Sequence, residues 1–464
     1  MKTMRFPVLL LFAALFAGNA IARDTPSGVP GVSVEQLTPD YWVAKQPRSR
    51  KPQLDPAAIA AQNAKLFELD TSVNDVAATP DTMPSADVKQ RMDELSQLTQ
   101  RTLYREDGQP MGGVERKALL DSLARDTLEG DVPVRFGLVV RRASVRAFPT
   151  LTRAFTEPGN NDIDRFQESA LFPGTPLAIL HASADDQWWF VISPLYVAWI
   201  PKVDVAIGSR ADVFGYAKRE PAVIITGADV DTVHTPEEPR VSRLRLDMGV
   251  RLPLRAGWPA NEPVNGQNPY NAWVVELPAR RADGTLEFVP ALVPRSADVS
   301  TEYLPLERTA LVRQSFKFLG ERYGWGHDYG TRDCSGFVSE VYRSFGVVIP
   351  RNTSDQATSP ALDRVAFADG DVESRRKAIA NVDTGDLVYI PGHVMMVIGK
   401  DRGIHYVIHD TTGFNARGDD GAIQRVKLNG VSVTPLETLL GSDGTPYVDR
   451  ITAIQRIRRT GEGR

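Results

Sequence analysis

The spacing of apolar positions changes three times along the chain. An alanine-rich run over 55–67 opens on Asp55-Pro56, an N-cap followed by a first-turn proline, and predicts a helix. Further helices are predicted over 85–98 and 113–128, the last carrying Val114, Leu119, Leu120, Leu123 and Leu128. From 133 the pattern becomes short apolar runs at 136–140, 144–147, 176–180, 188–192 and 197–201, separated by Gly, Pro, Asp and Asn. A second such group falls at 222–225, 246–253, 272–277 and 286–289. The two groups share Asp-Gln-Trp-Trp-Phe-Val at 186–191 and Asn-Ala-Trp-Val-Val at 271–275, which predicts a duplicated small β-barrel. Beyond about 301 the chain reads as a helix over 306–319, a second helix carrying Phe337, Val338, Val341, Tyr342 and Phe345 and stopped by Gly346, a variable loop over 350–382, and strands at 386–390, 393–399, 404–409, 422–428 and 452–457. Helices followed by an antiparallel sheet make an α+β unit.

Composition bounds this picture. A chain of 464 residues holds several domains, and these patterns divide it into 23–130 (helical, extended at first), 131–215 and 216–300 (barrels) and 301–464 (α+β). A formal charge of −4 argues against a nucleic-acid partner. Residues 1–22 have the form of an export signal: Lys2 and Arg5, a short apolar core over 6–17, and Ala20-Ile21-Ala22 before a mature start at Arg23. No later stretch resembles a transmembrane helix, so the product is expected to be exported, periplasmic or secreted. The sequence leaves its oligomeric state open.

Candidate chemistry centres on Cys334, the single cysteine. It has no partner for an intramolecular disulfide, which leaves a buried apolar residue, a redox thiol or a nucleophile. Asp333 is a candidate N-cap, so Cys334 falls in the first helical turn, where backbone N–H groups favour a thiolate. Two strand histidines complete a nucleophile–base–orienter set: His393 as base and, on the neighbouring strand, His409 as orienter, with His405 on the same strand face as the competing choice. A backbone N–H at Cys334 and the hydroxyl of Tyr323 are candidate oxyanion donors; Tyr323 reads equally as a packing residue. His327 is a further candidate for the cleft. Cys334, His393, His409 and Asp333 lack a compact zinc-ligand spacing, and acyl transfer to water through a thiol needs no metal or organic cofactor.

Tyr323-x-Trp325-Gly326, Asp333-Cys334-Ser335-Gly336 and Gly385-Asp386-Leu387 followed by Gly392-His393-Val394 resemble the NlpC/P60 family of papain-like cell-wall cysteine peptidases. The resemblance covers about 150 residues and implies Cys334 as nucleophile, His393 as base and His409 rather than His405 as the third residue. Upstream, a helical segment and two SH3-like domains resemble the multidomain members that cut the γ-D-glutamyl–diamino acid bond of murein stem peptides, several of which require a free N-terminal L-alanine. That implies Asp333 and Ser335 as substrate contacts, Thr353 or Ser354 as another, and an acid and a tyrosine from the first SH3-like domain, for which Glu168 and Tyr196 are the candidates. Asp333 also reads as a helix cap alone. Arg375, Arg376 and Lys377, in an insert over 360–380, read either as a contact for a peptide carboxylate or as charged surface. An amidase or acyltransferase using the same thiol, and a non-catalytic cell-wall-binding protein, are the alternative functions.

Overall fold

The computed structural model describes residues 25–48, 51–418 and 420–458; the expected export signal lies outside them. Among the described residues no helix is long and apolar enough to cross a membrane.

The first segment does not form a separate core. Residues 25–48 dock on the C-terminal unit: Trp42 is fully buried against Tyr406, with ring centroids 4.9 Å apart, and its indole N–H donates to the Gln36 carbonyl. Gln36, Tyr41 and Lys45 converge on Asp401. Helix Pro56–Leu69 begins where Asp55 accepts from the Ala58 N–H at 2.8 Å, and it is held to the C-terminal unit by Asn63, which bonds Gly346 and Val348. Helices Ser85–Leu95 and Gly113–Ser122 pack instead on the first β unit, sharing a core with Phe136, Phe190 and Trp199. The third helix ends at Ser122, short of the expected 128, because Ala124 adopts a left-handed conformation.

The first β unit is a seven-stranded antiparallel sheet over 135–208. Two of its strands lie outside the expected runs: Gln167–Leu171, which is Gln-Glu-Ser-Ala-Leu, and Val205–Gly208, a short apolar run just past the last expected strand. The second β unit pairs Ala222–Ile225 with Arg251–Pro253 and Val299–Ser300, and Ala272–Arg280 with Leu286–Pro294. The single strand expected over 246–253 is two, Arg245–Asp247 and Arg251–Pro253, turned at Gly249.

The C-terminal unit stacks helices Arg308–Phe316 and Cys334–Arg343 on a six-stranded antiparallel sheet. Its spatial order is Asp363–Ala366, Ala453–Arg456, Leu387–Ile390, His393–Asp401, Ile404–Arg417, Ile423–Pro435. Phe337, Val338 and Val341 of the cysteine helix share one core with Val394, Met396 and Ile408; Met395, Val397 and Val407 belong to another on the opposite face. The 350–382 segment is not a plain loop, since it contains helices Thr353–Thr358 and Val372–Ile379 and an edge strand.

A buried ionic node ties the three units together. Arg332, with no exposed surface, bonds Glu340 and Glu321 of its own unit and Asp247 of the second β unit, while Arg142 of the first β unit reaches the same Asp247. Such a node fixes relative orientation more surely than it adds stability, because desolvation offsets most of the Coulomb gain.

Candidate active site

Asp333 caps the cysteine helix, accepting from the Gly336 N–H at 2.8 Å, and so places Cys334 in the first turn. The sulfur is buried and lies 3.6 Å from Thr353 Oγ1. Burial first, and the Asp333 charge second, push the thiol up to about 12, against Thr353 and the Val394 backbone, which favour the thiolate. Burial thus opposes the thiolate that the start of a helix favours.

The histidines lie on the sheet. Continuing the Met396–Ile408 register brings Met395 opposite His409, so His393 and His409 are diagonal neighbours on one face. His393 Nε2 meets His409 Nδ1 at 2.7 Å. Alternation puts them on the face opposite Val394 and Met396, so the cysteine helix does not lie over them; the strand reaches the thiol at its start, through the Val394 backbone. With Nε2 engaged, the nitrogen of His393 left for a reacting proton is Nδ1. Burial pushes His393 down to about 4, and burial followed by the His393 charge holds His409 well below its ordinary value. His409 Nε2 continues to Thr434 Oγ1 at 2.9 Å, a residue that nothing in the sequence singles out, because the strand register decides it.

The other histidines are elsewhere. His405 bonds Glu437 at 2.7 Å. His327 is buried with φ +64, held by Glu340 on Nε2 and Arg351 on Nδ1, both at 3.0 Å. Burial and then the Arg351 charge push it down to about 4.

Asp333 and Ser335, expected as substrate contacts, already carry full sets of internal partners. Asp333 Oδ1 accepts from Gly336 N, Ser335 Oγ and Arg351 Nη1, and Oδ2 from Gly326 N and Arg351 Nη2. Five donors fill a carboxylate that offers about four lone-pair directions. Burial raises this carboxyl, but Arg351 and then His327 outweigh it and hold it at about 2. An incoming ammonium would have to displace a guanidinium. The Ser335 hydroxyl is likewise committed, donating to Asp333 and accepting from Arg351 at 2.8 Å. Arg351, a residue passed over in the sequence, also reaches Ser169 Oγ of the first β unit at 2.7 Å.

Of the pair Thr353 and Ser354, Thr353 meets the sulfur, whereas Ser354 is exposed and turned to Asp355. Glu168 and Tyr196 do converge: the Tyr196 hydroxyl donates to Glu168 Oε2, and both lie within the electrostatic reach of Arg351. Asn352 adjoins Tyr196 and was not foreseen. Burial raises the Glu168 carboxyl, opposed by Tyr196 and Arg351. The first β unit is pressed close here: Gln167 bonds the Gly326 carbonyl and Trp325 bonds the Gln167 carbonyl. Gly326 has φ +57, and a Cβ there would stand 2.9 Å from that same carbonyl oxygen. Tyr323 is buried beside the thiol, its hydroxyl pushed up by burial and then by charge at Cys334. Arg375 bonds the Ile451 and Ala368 carbonyls, and Arg376 pairs with Asp449, so neither is free for a peptide carboxylate. A cavity of about 240 Å³ lies behind the cysteine helix, lined by Phe67, Leu171, Phe172 and Val348 among others; Cys334 is not part of its wall.

Residues 320–421 match the NlpC/P60 family and residues 153–201 the SH3 domain of SH3b1 type. The chain is 27% identical over 220 residues to a γ-D-glutamyl-L-lysine dipeptidyl-peptidase of Bacillus cereus, covering 45% of this chain and 56% of that protein. It is 31% identical over 100 residues to a probable endopeptidase p60 of Listeria welshimeri, covering 21% of this chain and 18% of the other. The alignments thus span just over half of one curated relative and under a fifth of the other. Its fold is similar to that of an NlpC/P60 endopeptidase from Photobacterium damselae subsp. piscicida, with a TM-score of 0.68 and 18% identity over 86% of this chain and 90% of that one. The α+β unit built around Cys334 is an NlpC/P60 family domain, and the chain carries an SH3b1-type domain ahead of it.

Proposed function

We propose that this protein is an exported cell-wall cysteine endopeptidase that hydrolyses the γ-D-glutamyl–diamino acid bond of murein peptides with a free N-terminal L-alanine. In this reading the second β unit is a further SH3-like module. The observation that carries the reading is the His393–His409 contact of 2.7 Å, on a strand whose start borders a thiol at a helix N-terminus.

Cys334 and His393 are both neutral at rest, so attack and proton transfer occur together. His393 Nδ1 takes the thiol proton as Sγ adds to the γ-carbonyl of D-glutamate. The backbone N–H of Cys334 and the Tyr323 hydroxyl donate to the oxyanion. The imidazolium then returns the proton to the departing amine of the diamino acid. A water, deprotonated by the same nitrogen, releases the acyl group and restores the thiol. Thr353 orients the sulfur from the side.

The free amine is received by Glu168, through Oε1, with Tyr196 holding Oε2 and Asn352 beside it. This replaces Asp333 as the ammonium partner, since Asp333 is saturated by Arg351 and backbone donors. The choice of bond is supported by the likeness to a relative named γ-D-glutamyl-L-lysine dipeptidyl-peptidase.

Paired peptides with free and acetylated L-alanine amines, followed by mass spectrometry, test the proposal. Cleavage between D-glutamate and the diamino acid is expected, with the acetylated peptide poorer by about 10–100-fold, the worth of one charge-assisted hydrogen bond. Equal cleavage of both peptides would remove the amine subsite. Release at another bond would point to an amidase, and unchanged hydrolysis by Cys334→Ala would sink the thiol mechanism.

A further inference from the structure

We propose that Thr434 is the positioning residue that sets which nitrogen of His393 carries its proton at rest, keeping Nδ1 open to the reacting proton. His393, His409 and Thr434 form a diagonal row across three adjacent strands, with His409 opposite Ser432 and Val407 opposite Thr434 in the sheet register. The contacts are 2.7 Å from His393 Nε2 to His409 Nδ1 and 2.9 Å from His409 Nε2 to Thr434 Oγ1. His409 and Thr434 are without exposed surface, so no water substitutes for either partner.

Neutral imidazoles carry one proton each, and the row allows two arrangements. In the outward one, His393 Nε2–H donates to His409 Nδ1, His409 Nε2–H donates to Thr434 Oγ1, and Nδ1 of His393 keeps its lone pair. In the inward one, the Thr434 hydroxyl donates to His409 Nε2 and His409 Nδ1–H donates to His393 Nε2. The His393 proton then sits on Nδ1, where it blocks removal of the thiol proton. Once His393 has accepted that proton, both of its nitrogens are donors. His409 must then accept on Nδ1 and carry its own proton on Nε2, so Thr434 must accept. Only the outward arrangement serves both the resting base and the imidazolium, and it needs an acceptor at 434. Without one, His409 Nε2–H is a buried donor with no partner, a more expensive orphan than a bare lone pair.

The inference rests on His393 as base, and its readouts separate the two. Histidine-selective 15N NMR of the full-length resting protein is expected to show His393 protonated on Nε2 and His409 on Nε2. In Thr434→Val the population shifts toward His393 protonated on Nδ1. With peptide substrate, Thr434→Val is expected to lose about 10–100-fold in kcat with KM within twofold, as for other residues that orient a ligand or base through its far nitrogen. Thr434→Ser restores kcat to within a few-fold. Should the valine variant not fold, the wild-type tautomer decides: His393 protonated on Nδ1 overturns the inference. So does a serine variant as poor as valine, or a valine variant with wild-type tautomers and kcat. An active His393→Ala protein would instead remove the base on which it rests, whatever the tautomers show.

Discussion

His327, buried, and His393, half-buried at the start of its strand, are both imidazoles of the C-terminal unit pushed down to about 4. They differ in what burial leaves them. His327 has Glu340 on one nitrogen and Arg351 on the other, inside a network that runs on to Arg332 and Asp247. His393 has His409 on Nε2 alone. A buried group with every valence taken stabilises an arrangement; a buried group with one valence spare has something to react with. The two carboxylates divide in the same way. Asp333 is saturated and holds the helix in place, while Glu168 gives one oxygen to Tyr196 and keeps the other.

The largest effect expected from this contrast is on His393. His393→Ala should lower kcat/KM by roughly 10³-fold, the span of general acid–base catalysis, with little change in thermal unfolding. An equally deep loss in folded His327→Gln would erase the distinction between the two rings. Next comes stability. Arg351→Met leaves Asp333 buried without its cation and should destabilise by about 3–5 kcal/mol in denaturant unfolding; a change near zero would mean that the N-cap does not depend on Arg351.

The pH dependence sharpens the comparison further. His393 accepts a proton only while neutral, so the acid limb of kcat/KM should lie near 4 rather than 6.5. Both rings have folded values below the unfolded one. Their contribution to stability is therefore complete above about 6.5 and is lost as pH falls toward 4, which a Tm series across that window reads. An acid limb at 6.5 would place His393 in water.

The smallest expected effect is at Asp410, whose two carboxylate oxygens are buried without a partner and whose pKa is raised, first by burial and then by the Asp333 charge. Here the sign reverses: the favourable protonated form is present at low pH and is lost as pH rises through the folded value. Asp410→Asn should therefore raise Tm at pH 8, by roughly 1 kcal/mol in stability, and by less at pH 4. A difference independent of pH would show that charge is not the cause.

Much of the site was legible because its signals are local. Asp333 before an apolar run at helical spacing marks a capped helix, and His393 and His409 fall on adjacent strands joined by a short turn, which limits the registers open to them. Arg351, Thr434 and Asn352 were not legible. Each acts through a contact between elements far apart in the chain, and none departs from its surroundings in type. The strand Gln167–Leu171 escaped for a related reason: its polar residues are buried by the loop 325–330 and by Arg351, not by the sheet's own pattern.

Sequence alone placed Cys334 in the first turn of a capped helix and His393 and His409 on neighbouring strands, since helical and strand periods fix which residues share a face. Only the tertiary structure decided how deeply the thiol is buried and which groups surround Asp333. Desolvation and charge pairing depend on what packs around a group, and here the packing comes from Arg351 and from a β unit more than 100 residues upstream. Proximity along the chain makes Asp333 a candidate partner for a substrate amine; proximity in space sets an arginine on it as well.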